Sequence, residues 1–434
     1  MAKIETAPPR GTRDLLPSDV SLRASMTDLI LKVYLKHGFT RIETPCIENL
    51  DRLIGSDGGE NEKLVFKILK RGDKLQAAGD KESSLADLGL RFDLTVPLAR
   101  YYANNFSKLP AVFRAIQIGP VWRAERPQKG RYRQFVQCDI DIVGEPSVVA
   151  ELELISTTLD AVAVLGITDL TLKYNDRRLL DAILLRAGVD PAVSSSVLVV
   201  LDKVEKLGLQ QVEGELLELV KDQEVVKLLV GILENLSDNG QLNLEAFRDL
   251  GLGTGIIDDL IAIESLGKIC KNTEFRFDPT VIRGMGYYTG PIFELSVPSL
   301  GFSIGGGGRY DNMMSRFGRE NSACGFSLGF ERLVIYLEEH GMLPKDRTPV
   351  VRFRCKSSSD FAQAKRLSES MAAHGVLCLT EGSTRKFDGV VKGLRTAFNA
   401  KMGDQPLWEV LIEVDGETSK TVLIGGDPPD FLAV

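Results

Sequence analysis

The chain has 434 residues, 44% of them hydrophobic and 26% charged, a composition that fits a globular protein of two or three domains. A formal net charge of −7 excludes general affinity for nucleic acid, so an RNA partner has to be held by local basic patches. No apolar run reaches membrane-spanning length and the opening MAKIETAPPRGTRD lacks a signal-peptide core, so a cytoplasmic chain with no membrane partner is expected.

Residues 7–19 (APPRGTRDLLPSD) are turn-rich and lead into a helix predicted over about 20–37 by its apolar spacing. Gly38 ends that helix, and FTRIETPCIENL follows as a strand leading into a loop. Residues 54–90 alternate charge with short apolar runs, with GSDGGENEK as a loop. LGLRFDLTVPLARYYANNF then predicts a short strand, a turn at 93–97 and a helix.

The most informative stretch is 115–144, AIQIGPVWRAERPQKGRYRQFVQCDIDIVG, where two strand-like runs flank a polar loop carrying Arg126, Lys129, Arg131 and Arg133. With period two, Phe135, Gln137, Asp139 and Asp141 share one face, and Val136, Cys138, Ile140 and Ile142 share the other. The first run alternates more weakly and sets Arg123 opposite Ile116, Ile118 and Trp122, which are expected to face the core. Guanidinium groups suit phosphates, which they hold bidentately, and Phe135 offers a flat surface to a base. Gln137 and Asp141 suit a small polar ligand bearing an amine or an N–H. For the strand alone, the plainer reading is a half-solvated antiparallel strand with a polar outer face. The cationic loop attached to it favours a ligand site.

Residues 147–165 read as an amphipathic helix and 169–174 as a strand. From 177 to about 271 every segment is helical in period and strands vanish, the texture of an insertion or subdomain. Strands return at FRFDPTVIRGMGYYTGPIFELSV and GFSIGGGGRYD, and SACGFSLGFERLVIYLEEHG reads as a strand running into a helix. Residues 346–348 look like a linker, and 349–426 alternate strand and helix as a small α/β domain. The glycines at 305–308 lack a following G-K-[ST], so no P-loop is present; they are expected to let backbone approach a ligand closely. GLGTGI at 251–256 reads as a turn before a helix. The six cysteines never fall in C-x-x-C spacing, which points to reduced thiols and no zinc site. His37, His340 and His374 lie outside polar clusters, leaving no candidate for histidine-based catalysis.

These pieces together resemble a class II aminoacyl-tRNA synthetase, and within that class the histidyl-tRNA synthetases, over residues 8 to about 340. PPRGTRDLLP is similar to the family's opening signature, and GFTRIETPCIEN resembles motif 1, whose proline-containing strand builds a dimer interface. VWRAERPQKGRYRQFVQCDID resembles motif 2, RGMGYYTGPIFE a signature specific to the histidine enzymes, and GFSLGFERL motif 3. LDKVEKLG is similar to the family's insertion segment. The implied fold class is α+β: an antiparallel catalytic sheet flanked by helices over 1–345, a helical insertion at about 177–271, and an anticodon-binding-like α/β domain over 346–434.

The resemblance also implies roles. Arg123 would hold the ATP α-phosphate and the histidine carboxylate, Phe135 would stack on adenine beside Glu125 and Arg131, and Arg332 would take the γ-phosphate. Asp93, Leu94 and Thr95 lie in RFDLTVP, where Asp93 and Thr95 would accept the α-ammonium alongside Gln137. Asp141, Tyr287 and Tyr288 would frame the imidazole, and Arg283 is the distinctive cation at the α-phosphate. ATP with Mg²⁺, histidine, tRNA(His) and a second copy of the chain are the implied partners. Alternatives are a synthetase-like regulatory subunit of ATP phosphoribosyltransferase and an amino-acid-activating enzyme with a non-tRNA acceptor. Two departures from the family pattern stand out: Gly286 replaces a usual aspartate, and the last domain matches poorly, with twelve Lys/Arg against twelve Asp/Glu after residue 345.

Overall fold

The alternation in QFVQCDIDIV builds the central strand of the molecule, because one face of apolar side chains must be buried while the other is left for polar groups. The computed structural model describes residues 5–54, 63–77, 85–128, 130–251, 254–283, 287–340, 349–356, 360–372, 376–382, 386–400, 406, 408–415 and 418–426. The chain forms two units, Met1–Met342 and Leu343–Val434.

The first unit is built on an eight-stranded sheet. Its strands, numbered in chain order, are β1 (Thr40–Arg41), β2 (Phe113–Trp122), β3 (Gln134–Val143), β4 (Leu170–Asp176), β5 (Thr273–Phe277), β6 (Pro291–Val297), β7 (Phe302–Arg309) and β8 (Ala323–Gly329). Their order is β1-β2-β3-β8-β7-β6-β4-β5. The six central strands are antiparallel, as expected, but both edge pairs, β1 with β2 and β4 with β5, run parallel. Cys138, Ile140 and Ile142 are fully buried on one face of β3, with the helix Val149–Ala163 in the same layer. Arg309 locks that helix to β7 through Glu151 at 2.7 Å.

Several elements differ from the sequence reading. The first helix begins earlier, at Pro17, because Pro at the first turn and Asp19 accepting from the Leu16 N–H start it ahead of its apolar residues. FTRIETPCIENL is broken into β1 and the strand Ile47–Asn49, which joins Ala86–Leu90 and Lys67–Leu69 in a separate three-stranded sheet. Ile118 and Trp122, expected in the core, are half-buried, while Val121 is buried. Between 177 and 271 the helices are interrupted by a two-residue hairpin, Ser237–Asp238 with Gln241–Leu242. Asn239 and Gly240, both at positive φ, make that turn, too short for a period to register. His37 has a partner after all, Asp160 at 3.0 Å, on the protein surface. The loop 55–62, Lys129, Gly286 and the linker 346–348 lie outside the described residues.

The second unit is a four-stranded sheet ordered Leu377–Gly382, Val350–Cys355, Trp408–Asp415, Thr418–Gly426, the last pair antiparallel. The helix Phe361–Ala372 covers Val351, Phe353, Val410 and Ile412 with Leu367 and Met371. The helix Phe387–Ala400 places Val390, Leu394 and Phe398 against Leu411 and Ile424 on the other face.

Candidate active site

A single row of side chains across the sheet defines the floor of the site. Gln117, Asp139, Ser327, Gly306, Glu294 and Lys173 are successive cross-strand neighbours on β2, β3, β8, β7, β6 and β4. The partners of Gln137 and Asp141 on either side are small: Gly119 and Gly329, then Ala115 and Gly325. That choice of residues leaves space over β3, and a cavity of about 960 Å³ opens there. Gly325 is needed for a second reason, since a Cβ there would lie 2.1 Å from the Asp141 carboxylate. At Gly306 a Cβ would lie 2.3 Å from the Arg283 guanidinium. The glycines of β7, expected to admit a ligand, therefore make room first for the protein's own groups, although Gly305 and Gly306 also line the cavity.

Four guanidiniums converge on this cavity: Arg123, Arg131, Arg283 and Arg332. Arg123 is held by the Phe92 carbonyl at 2.9 Å and sits 5.1 Å from the centroid of the Phe135 ring. Arg283 pairs with Glu294 and donates to the Gly305 carbonyl at 3.3 Å. Arg332 is fixed by Ser303 and lies 5.3 Å from the Phe302 ring centroid. Burial lowers the Arg332 pKa, and the charges of Arg131, Arg283 and Arg123 lower it further. Glu294 pairs with Arg283 and Glu125 lies 3.8 Å from Arg131, while Arg123 and Arg332 are held by carbonyl and hydroxyl oxygens instead, an arrangement that suits a polyanion.

The same cavity also has an acidic and aromatic lining. Asp93, Asp139, Thr95, Gln137, Tyr287 and Tyr288 line it. Asp93 Oδ1 accepts from the Val96 N–H at 3.2 Å, opening the helix Thr95–Asn105. Tyr287 and Tyr288 meet edge to face at 5.0 Å, and burial pushes the Tyr288 hydroxyl up to about 12. Of the sequence-derived site residues, two are not on the lining. Leu94 is a core side chain whose carbonyl accepts from Gln117 at 2.8 Å, so only its backbone serves the site. Asp141 lies just beneath, its Oδ1 receiving the Tyr310 hydroxyl at 2.6 Å while Oδ2 has no partner among the described residues.

Burial raises the Asp141 carboxyl from 3.8 to about 7, against the pull of the Tyr310 hydrogen bond. The native state therefore takes up a proton that the unfolded chain does not. Its stability is undiminished below about pH 4 and falls as pH rises toward about 7. Asp141→Asn is expected to raise the melting temperature of the free protein clearly at pH 8 and much less at pH 5. An equal shift at both, by scanning fluorimetry, would contradict the buried carboxyl's part in it.

Sequence reasoning passed over Glu294, Tyr310 and Glu331. Glu294 was detectable, since it is the one charge in the apolar strand PIFELSV. Glu331 takes Arg23 at 2.6 Å, Arg13 at 2.7 Å and the Val136 N–H at 3.3 Å. Burial opposes its ionisation, yet the two arginines hold it below the ordinary range. Arg13 also lies 4.3 Å over Tyr132, and the Gly11 carbonyl accepts from the Arg133 N–H at 2.8 Å. The opening PPRGTRD segment thus straps the cationic loop to the motif that carries Arg332. The helix Pro191–Leu201 adds Ser195, Ser196 and Val199 to the cavity wall.

A family model described as histidyl-tRNA synthetase matches residues 11–333, stopping short of the second unit. The chain is 48% identical over 355 residues to a histidine–tRNA ligase of Leifsonia xyli subsp. xyli, covering 79% of this chain and 81% of the relative. It is 43% identical over 351 residues to a probable histidine–tRNA ligase of Tropheryma whipplei (strain Twist), covering 77% and 81%. Among solved structures, histidyl-tRNA synthetase from Nostoc sp. PCC 7120 is similar with a TM-score of 0.72 at 24% identity, covering 97% of both chains. An ATP phosphoribosyltransferase regulatory subunit/histidyl-tRNA synthetase from Bacillus halodurans C is similar with the same TM-score at 21% identity, covering 90% and 97%. At such identities these two structures carry the fold alone.

Proposed function

Because this chain belongs to the histidyl-tRNA synthetase family, we propose that its cavity activates histidine with ATP and passes the histidyl group to tRNA(His). One observation carries this reading: a single cavity brings together four guanidiniums, buried carboxylates and two tyrosines. That is the charge pattern of a triphosphate beside a zwitterionic amino acid. The regulatory-subunit alternative is not favoured, since the relatives that match most of both chains are named ligases.

In the first step a histidine carboxylate oxygen attacks the α-phosphorus, and the bond to pyrophosphate breaks. The nucleophile is already ionised, so the protein's part is positioning and charge rather than proton transfer. Arg123 and Arg283 stabilise the charge developing at the α-phosphate, Phe135 stacks on adenine with Glu125 and Arg131 beside it, and Arg332 takes the γ-phosphate. Asp93, Thr95 and Gln137 receive the α-ammonium, and Asp141, Tyr287 and Tyr288 frame the imidazole. In the second step the terminal ribose 3′-hydroxyl attacks the acyl carbon, loses its proton, and AMP leaves. Mg²⁺ would be held chiefly by the phosphate oxygens, with Glu125 or Glu294, which line the cavity beside Arg131 and Arg283, as its one or two carboxylates. When bound it neutralises charge on the triphosphate.

Leu16, Val20 and Ile47 are exposed apolar side chains in and around the first helix and the segment resembling motif 1. They support a homodimer, and the family's chemistry suits the cytoplasm. For the second unit the role is anticodon binding. Lys392 and Arg395 are exposed on the helix Phe387–Ala400, and Lys386 is exposed just before it; Arg385 lies outside the described residues.

A truncation ending near residue 345 is expected to keep histidine-dependent pyrophosphate exchange and lose most charging of a tRNA(His) transcript. Binding of the intact protein to that transcript should weaken with salt, with a shallower slope once Arg385, Lys386, Lys392 and Arg395 are alanine. Full charging by a folded truncation would sink the anticodon role. Absence of charging by the whole chain would sink the transfer step.

A further inference from the structure

Asp139 has no part in the roles set out above, yet it is 4% exposed and lines the cavity midway along β3. Its Oδ2 receives a long hydrogen bond from Gln137 Nε2, at 3.4 Å, and the Ser327 hydroxyl lies near enough to favour the ionised carboxyl. Its Oδ1 has no hydrogen-bond partner among the described residues. Gln137 Nε2 also donates to Ser327 Oγ at 3.0 Å, and these two donations fix the amide so that Oε1 is the open atom. Gln137 Oε1 is likewise buried and without a donor among the described residues. Two orphaned acceptors therefore sit two residues apart on one face of one strand, and both residues line the same cavity.

Buried acceptors in this state call for a donor from outside the protein. Phosphates supply none, and a neutral imidazole supplies a single N–H. A primary ammonium supplies three, with a positive charge suited to the carboxylates Asp93, Asp139 and Asp141. Position agrees with chemistry. Asp139 lies between Gln137, toward Phe135, and Asp141, toward the tyrosines. We propose that Asp139, together with Gln137 Oε1, is a direct ligand of the α-ammonium and selects substrates that carry a free primary amine. This rests on the histidine reading of the cavity. Burial, then the charge of Asp141, holds the Asp139 carboxyl above its usual range, a condition that a bound cation relieves.

Titration calorimetry with two fragments of the substrate tests the assignment. Histidinol keeps the ammonium and lacks the carboxylate, whereas imidazolepropionate keeps the carboxylate and lacks the ammonium. Asp139→Asn, which preserves shape, is expected to weaken histidinol binding about 10- to 100-fold while leaving imidazolepropionate within about 3-fold. Equal weakening of both would assign Asp139 to the ring or to the fold, and unchanged binding of both would remove it from the site. Either result overturns the inference. If Asp139→Asn proves unstable in a circular dichroism melt, Asp139→Ser takes the same comparison. Wild-type protein that binds neither fragment would overturn the histidine reading and this inference with it.

Discussion

Replacing Arg283 with alanine is expected to abolish adenylate formation in a protein that still folds. Arg283 reaches the cavity over Gly306, where no side chain competes for its space, and Glu294 holds it there. Glu294 keeps contact with water, so removing its partner leaves no sealed, uncompensated charge in the core. The loss falls instead on the reaction, where charge develops on the α-phosphate oxygens and a preorganised cation no longer meets it. One such donor is worth on the order of 100-fold or more in rate. Pyrophosphate exchange within a few-fold of wild type, in a variant with an unchanged melting temperature, would show that Arg283 does not act on the phosphate. Gly306→Ala would crowd the same guanidinium without removing a charge, but its Cβ would also lie 2.7 Å from the Phe293 carbonyl of the neighbouring strand, so it is informative only with an unchanged melting temperature.

The second large effect is expected at Asp141. Its Oδ1 is engaged by Tyr310, and its Oδ2 is a buried acceptor without a partner among the described residues, which the proposed function pairs with an N–H of the ring. Asp141→Ala should raise the KM for histidine roughly 10- to 100-fold and leave the KM for ATP within a few-fold, because the four guanidiniums are untouched. A parallel rise in both constants would reveal a disturbed sheet rather than a lost contact. Exchange newly stimulated by another amino acid would instead place Asp141 among the groups that reject competitors.

Much of this was legible along single strands. The face shared by Phe135, Gln137, Asp139 and Asp141 followed from alternation alone, and the structure places Phe135, Gln137 and Asp139 on the cavity lining with Asp141 just beneath. Its depth did not follow. Alternation says which side chains share a face but not what covers it, and here Gln137, Asp139 and Asp141 are as buried as the core opposite. Relations across strands were equally hidden. Glu294 meets Arg283 because β6 and β7 place Glu294 opposite Gly306, a register that no local pattern encodes. Glu331 was hidden for the same reason, since its partners Arg13 and Arg23 lie more than 300 residues away in sequence. In the second unit the elements were readable from period, whereas its buried Arg354–Glu413 pair depended on which strands become neighbours.

The most direct measurement is exchange of labelled pyrophosphate into ATP by the whole chain, run with each of the twenty amino acids in turn. The account predicts strong exchange with histidine alone, with Asp93, Gln137 and Asp141 rejecting the rest. Exchange driven by a different amino acid, or by none in a folded protein, would contradict it.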